Sequence, residues 1–160
     1  MKKKSFIFGL VGVVIGVIFD ELVIGNGLRR LLQKKEDNEV KFKGFYLVLI
    51  RWLRVHQEGR ALEYYFKNNK VNSIAIYGMK ELGEALLDEL KDSEIDVRYG
   101  IDRDADNIYV ALDVYTPDEE LEEVDMIVVT AIHYFDEIER CLRSSTNARI
   151  VSLEDVLWEV

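Results

Sequence analysis

The stretch from Ser73 to Leu90, SIAIYGMKELGEALLDEL, decides the fold that we predict for this chain. Its first five residues form a short apolar run rich in isoleucine, which predicts a buried strand. Gly78 ends the run, and apolar residues between Glu81 and Leu90 then recur at the spacing of one helix face. A buried strand that turns through glycine into a helix indicates the start of a parallel α/β sheet.

The same alternation of strands and helices continues to the end of the chain. Strands are predicted at Ile95–Ile101, Val114–Tyr115, Asp125–Thr130 and Arg149–Ser152, and helices at Pro117, Phe135–Leu142 and Leu153–Trp158. Strands that alternate with helices pair in parallel through right-handed crossovers. We therefore predict an α/β protein: a small Rossmann-like parallel sheet with flanking helices over residues 71–160, preceded by N-terminal helices.

The turn after the first strand carries part of a nucleotide-binding motif. Gly78 and Gly83 match two glycines of the dinucleotide fingerprint G-x-G-x-x-G at a strand-to-helix turn. Lys80 occupies the position of the middle glycine, where it either obstructs a phosphate or offers it a cation. The alternative is that both glycines serve only the fold. The binding site predicted at this turn consists of Gly78, Met79, Lys80, Leu82 and Gly83.

Two further groups of residues follow later strands of the predicted sheet. Asp102 closes the second strand, where an acid can accept hydrogen bonds from a ribose diol, and the adjacent Arg103 could instead meet a phosphate. Thr130 and His133 follow the fourth strand. Ligands of open parallel sheets bind at the carboxyl ends of the strands, so we add these four residues to the predicted site. The alternative is that they are ordinary polar surface.

The N-terminal segment predicts a membrane anchor. The predicted anchor is residues 1–24, in which three lysines precede an uncharged run from Ser5 to Phe19 that continues through Asp20 and Glu21 to Ile24. A cleaved signal peptide and a buried hydrophobic helix are the alternatives. Because more lysines and arginines follow the run than precede it, the remainder of the chain is predicted to be cytoplasmic.

Residues 25–70 are predicted to connect the anchor to the α/β domain. Residues 25–38 resemble a basic linker, Glu39–Gln57 a helix and Ala61–Asn68 a short second helix. The predicted apolar stripe of the longer helix consists of Phe42, Phe45, Tyr46, Leu49, Trp52 and Leu53. This stripe would lie on a membrane surface, or pack on the α/β domain or a partner helix.

The charge of the chain is unevenly distributed. Residues 1–70 contain 14 Lys and Arg against 7 Asp and Glu, whereas residues 71–160 contain 7 against 23. The acidic half is a poor candidate for nucleic acid, because attraction to phosphates dominates such binding. The basic half suits anionic lipid headgroups. With Cys141 as the single cysteine, and no cluster of Cys and His, the sequence predicts no zinc site.

From Tyr46 to Trp158 the chain resembles a family of bacterial Rossmann-like proteins that are associated with capsule and other surface-polysaccharide synthesis, often labelled nucleoside-diphosphate-sugar epimerase-like. The matching segments are 51–53, 59, 62–64, 75–79, 81–83, 99–103, 114–117, 128–131, 135–138 and 150–156. Relatives usually have glycine where this chain has Lys80. The resemblance implies a nucleotide-type ligand such as NAD(P) or a sugar nucleotide, and a possible protein partner or homo-oligomer.

Two classes of function follow from these patterns. The first is a non-catalytic, membrane-tethered binding module for surface-polysaccharide synthesis. The second is a small NAD(P)-dependent epimerase or dehydrogenase, and a scaffold without a ligand is a further alternative. Reductase-type epimerases need a Tyr-x-x-x-Lys pair for proton transfer. None of the eight tyrosines has a lysine four residues on, and no substrate domain follows the nucleotide-binding half. The binding module is therefore the preferred prediction, with no catalytic residue and no metal.

Overall fold

The computed structural model describes the backbone of residues 2–160 and the side chains from Arg29 onward. Helix α1 spans Lys2–Gln57, and the chain divides into two units, Met1–Gly44 and Phe45–Val160. The predicted linker at 25–38 is helical, because helix α1 continues through it. Isolated glycines cost a helix about 1 kcal/mol each, and the stretch after them is rich in leucine, lysine and glutamate, which favour helix.

The predicted membrane anchor, residues 1–24, lies outside the part of the chain whose side chains are described. Among the described residues, no helix combines the length and the apolar character needed to cross a membrane.

The second unit contains a five-stranded, all-parallel sheet. Its strands are β1 (Ser73–Tyr77), β2 (Asp96–Ile101), β3 (Val114–Tyr115), β4 (Met126–Val129) and β5 (Arg149–Ser152). They lie in the order β3-β2-β1-β4-β5, with β1 paired to both β2 and β4. The first five strands of a Rossmann sheet follow the same order. The prediction of a parallel α/β sheet with flanking helices is confirmed.

Four helices besides α1 flank the sheet in this unit. They are α2 (Glu63–Asn68), α3 (Glu81–Leu90), α4 (Phe135–Leu142) and α5 (Leu153–Glu159). The short helix predicted at Pro117 is wrong. The amide and hydroxyl groups of Thr116 donate to the Glu119 carboxylate at 2.8 and 2.7 Å, which closes a single turn. The acidic residues that follow leave a longer helix little apolar surface to bury.

Two hydrophobic clusters cover opposite faces of the sheet. Alternation along β1 sends Ile74 and Ile76 into one cluster and Ala75 and Tyr77 into the other. The first cluster contains the buried residues of α2, α3 and α5 and the end of α1, and the second those of α4. A sheet covered by helices on both faces explains why β1 is buried along its whole length.

The end of α1 packs on the sheet domain, although not through the predicted stripe. Val48, Trp52 and Val55 are buried there. The predicted stripe is wrong, since of its six residues only Trp52 is buried. The compact unit consequently starts at Phe45, whereas the sequence placed the start of the domain at Val71.

Candidate functional site

An open cleft lies at the carboxyl ends of β1, β2 and β4. The chain leaves β1 for β2 on one side, while β4 pairs with β1 on the other, so the crossovers diverge at this point. Ligands of open α/β sheets bind in the crevice at such a switch point. The cleft has a volume of about 470 Å³. Its lining residues are Phe45, Tyr77, Gly78, Lys80, Glu81, Leu82, Asp102, Arg103, Asp104, Thr130, Ala131, Tyr134 and Ile138.

Gly78 forms the floor of the cleft in a conformation that favours glycine. Its φ is +93°, and its N–H group donates to the Ile101 carbonyl at 2.8 Å. The Thr130 hydroxyl donates to the carbonyl oxygens of Gly78 at 2.5 Å and Tyr77 at 3.1 Å. A Cβ atom on Gly78 would stand 2.7 Å from Thr130 Oγ1. This turn therefore brings the ends of β1, β2 and β4 together.

Gly83 and Met79 shape the cleft without lining it. A Cβ atom on Gly83 would lie 2.2 Å from the carbonyl oxygen of Gly78, so this glycine lets the first turn of α3 approach the strand end. The Met79 side chain is buried in the core, and Leu82 reaches the lining of the cleft. Of the residues predicted at this turn, Gly78, Lys80 and Leu82 face the cleft, and the other two support it.

Lys80 stands at the start of α3. It is the N-cap residue of this helix, it is exposed, and its side chain makes no capping hydrogen bond. The first amides of a helix have no acceptor within the helix, and they favour anions. Glu81 and Glu84 in the first turn add negative charge beside this end. Lys80 supplies a positive charge within that acidic surrounding.

Asp102 is buried, and both of its carboxylate oxygens accept hydrogen bonds from the backbone. Oδ2 accepts from the N–H group of Met79 at 2.9 Å, and Oδ1 accepts from the N–H group of Asp104 at 3.0 Å. The side chain therefore ties the loop after β1 to the loop after β2. The two hydrogen bonds hold these loops in position.

Arg103 extends from the end of β2 to the opposite side of the cleft. Its guanidinium donates to Glu137 Oε1 on α4 at 3.0 Å, and both side chains are largely exposed. The Glu137 carboxylate, and after it the Tyr77 hydroxyl, raise the pKa of Arg103 above its ordinary value. Burial raises the pKa of the Tyr77 phenol, and the nearby guanidinium only partly offsets that effect. Tyr77 is therefore a neutral hydrogen-bonding group at pH 7.

His133 lies outside the cleft, unlike Thr130 from the same predicted pair. It belongs to the short 3-10 helix Ile132–Tyr134, and its ring packs edge-on against Phe45 with the ring centroids 4.9 Å apart. A separate shallow depression on α4 is lined by His133 together with Asp136, Glu137 and Arg140. Its observed contact is thus to the cleft wall rather than to the cleft interior.

Sequence reasoning missed most of the apolar wall of the cleft. Phe45, Tyr77, Ala131, Tyr134 and Ile138 line it, together with the acidic residues Glu81 and Asp104. Tyr77 is the last residue of β1, and Ala131 and Tyr134 follow β4. Their closeness to predicted strand ends was therefore a signal that the sequence offered. The sequence offered no such signal for Phe45, because this residue lies 32 residues before Tyr77 in the chain.

The cleft combines an apolar wall, the cations of Lys80 and Arg103, three acidic side chains and a floor of backbone groups. Such a surface can hold a planar ring or sugar face beside an anionic group. Within the described part of the chain, no group of three or more His, Cys, Asp or Glu side chains is arranged to hold a metal ion. Comparison of the chain with protein-family models, curated proteins and solved structures finds no match.

Proposed function

We propose that this chain is a nucleotide-binding module, without catalytic activity of its own, that holds a dinucleotide or sugar nucleotide. The observation that carries the proposal is the cleft at the switch point of the sheet, where Gly78 and Lys80 meet the start of α3. Nucleotide ligands of parallel α/β sheets occupy this position.

The phosphate of the ligand would bind at the turn between β1 and α3. The first amides of α3 have no acceptor within the helix and favour an anion at this turn. The Lys80 ammonium adds a charge-assisted contact, worth about 1.5–3 kcal/mol. This contact takes the place of the close backbone approach that a glycine at position 80 would allow.

The remainder of the ligand would lie along the apolar wall. Its aromatic members, Phe45, Tyr77 and Tyr134, offer flat surfaces to a base or a sugar. The cleft volume of about 470 Å³ lies within the range of about 300–1,000 Å³ that is typical of small-molecule sites.

We further propose that the module is tethered to the membrane and acts in bacterial surface-polysaccharide synthesis. The tether rests on the uncharged run that begins at Ser5 and on the cations that follow it. The pathway rests on the resemblance of residues 46–158 to proteins associated with capsule synthesis. The basic first part of the chain suits an anionic membrane surface, and the acidic domain then faces the cytoplasm.

A thermal-shift screen of the full-length protein in detergent tests the binding proposal. NAD, NADP, coenzyme A and UDP-sugars are compared at equal concentrations. A ligand at 100 times its dissociation constant stabilises the folded state by about 2.7 kcal/mol. A stabilising ligand whose effect is weakened in Lys80→Ala would support the site. If none of the four classes raises the melting temperature, the nucleotide proposal is wrong.

A further inference from the structure

We infer that the ligand of this cleft carries a phosphate on the 2′ position of its ribose, and that Arg103 binds this phosphate. The inference rests on the proposed function and narrows it from nucleotides in general to one chemical class. It depends on how the structure uses the two residues that end β2.

The acid that would bind an unsubstituted ribose is largely buried and tied to the backbone. In dinucleotide-binding sheets an acid at the end of the second strand accepts hydrogen bonds from the ribose hydroxyl groups. Here Asp102 stands at that place, but its two oxygens accept backbone N–H groups at 2.9 and 3.0 Å, and only 9% of its surface is exposed. A diol would have to reach a carboxylate that is largely buried and held by two backbone hydrogen bonds.

The next residue presents the opposite charge to the cleft. Arg103 lines the cleft, and 66% of its side chain is exposed. A guanidinium offers a planar fork of donors that matches a phosphate group, and an arginine near this strand end is suited to a 2′-phosphate. The end of β2 thus offers a buried, engaged carboxylate and an accessible cation.

Arg103 can exchange its present partner for a phosphate at little cost. Its ion pair with Glu137 joins two side chains that are 66% and 56% exposed, and exposed pairs of this kind contribute little to stability. Asp104, the nearest other acid of this loop, has its Oδ1 atom engaged by the Asn107 side-chain amide at 2.5 Å. A dianionic phosphate would therefore outcompete the Glu137 carboxylate for the guanidinium.

The experiment measures the affinity of the full-length protein for three isomers of one composition: adenosine 2′,5′-bisphosphate, adenosine 3′,5′-bisphosphate and adenosine 5′-diphosphate. Adenosine 5′-monophosphate serves as the baseline. We expect the 2′,5′ isomer to bind at least about tenfold tighter than the monophosphate and tighter than the 3′,5′ isomer, as a charge-assisted contact requires. The 5′-diphosphate reports separately on the Lys80 side of the cleft.

Variants assign the effect to Arg103. Arg103→Ala should abolish the preference for the 2′,5′ isomer, because it should weaken the binding of this isomer at least about tenfold more than that of the monophosphate. Glu137→Gln frees the guanidinium and should tighten binding of the 2′,5′ isomer up to about fivefold. Arg140→Ala is the matched control, because it removes a cation from α4 that lies in the neighbouring depression and not in the cleft.

The outcomes separate this inference from the proposed function. If the monophosphate or the 5′-diphosphate binds but the 2′,5′ isomer is no tighter than the monophosphate, the inference is wrong and the nucleotide site stands. Tighter binding of the 3′,5′ isomer, or equal weakening of all four ligands by Arg103→Ala, also overturns it. If none of the four ligands binds, this inference fails, and the response to UDP-sugars in the thermal-shift screen decides the proposed function.

Discussion

Replacing Gly78 by alanine tests the geometry on which the cleft depends. The residue has a φ of +93°, a conformation that costs an L-residue about 1–2 kcal/mol. The new Cβ atom would stand 2.7 Å from Thr130 Oγ1 and 3.4 Å from the Ala131 nitrogen, whereas ordinary contacts begin near 3.4 Å. Relieving such overpacking typically costs a further 1–3 kcal/mol or so. Gly78→Ala should therefore lower the free energy of unfolding by about 2–5 kcal/mol.

Gly59→Ala is the matched control for this change. Gly59 also has a positive φ, +69°, but a Cβ atom there would meet no heavy atom within 4 Å. The control retains the backbone strain and lacks the steric overlap, so it should cost only about 1–2 kcal/mol. The difference between the two variants isolates the close approach of Thr130 to the turn.

Urea unfolding of both variants, followed by tryptophan fluorescence, measures these costs, because Trp52 is buried in the core of the same unit. A second comparison introduces Gly78→Ala into Thr130→Ala, where the hydroxyl is absent. The cost of Gly78→Ala should then fall toward that of Gly59→Ala, which gives a coupling energy between the two positions. If Gly78→Ala costs no more than Gly59→Ala in the native background, the reasoning about this turn is refuted.

Four further predictions concern binding, location, acid stability and activity. Lys80→Ala should weaken nucleotide binding roughly tenfold or more by titration calorimetry, whereas stronger binding by Lys80→Gly would show that the lysine blocks the site. Cell fractionation should leave the intact protein with membranes, and deletion of residues 1–38 should release it; a soluble intact chain would contradict the anchor. The N–H groups of Asn72 and Ser73 hold the pKa of Asp125 below its ordinary value, so its contribution to stability is complete above about pH 4 and is lost as the pH falls through the lower folded-state pKa. Asp125→Asn should then flatten the loss of stability in urea titrations below about pH 4, and an unchanged acid profile would count against this role. The purified protein should not turn over UDP-sugars in a coupled assay, and turnover that a single substitution in the cleft abolishes would disprove the binding-module proposal.

Local patterns in the sequence located the elements of the sheet well. The predicted bounds of β1, β3, β5, α3 and α4 agree with the structure, because each of these is a short apolar or amphipathic run with a clear boundary. The prediction at Pro117 was wrong because a proline and an acidic turn permit a helix start without supplying an apolar face that would extend it.

The sequence predicted where the candidate site lies, but not which contacts its residues make. Strand ends gave Gly78, Asp102 and Thr130, since parallel strands bring their carboxyl ends to one edge. The hydrogen-bond partners of these residues could not be predicted from the positions of strand ends. Asp102 is engaged by backbone groups of Met79 and Asp104, and the geometry of two loops decides that engagement, which no pattern of residue types records.

The end of α1 shows why periodicity identifies a helix more securely than the face that it buries. Between Phe45 and Gln57 the helix has two adjacent apolar faces, one through Leu49 and Leu53 and the other through Val48 and Val55. Hydrophobicity alone does not choose between them, and polar contacts accompany the face that is buried. The Trp52 indole donates to the Glu89 carboxylate, and the Arg51 guanidinium donates to the Leu157 carbonyl at 2.8 Å. These bonds join α1 to α3 and α5, and Val48 and Val55 lie in the core cluster on the same side of the helix. The same orientation brings Phe45 to the cleft wall, so a helix encoded far upstream completes the candidate binding site.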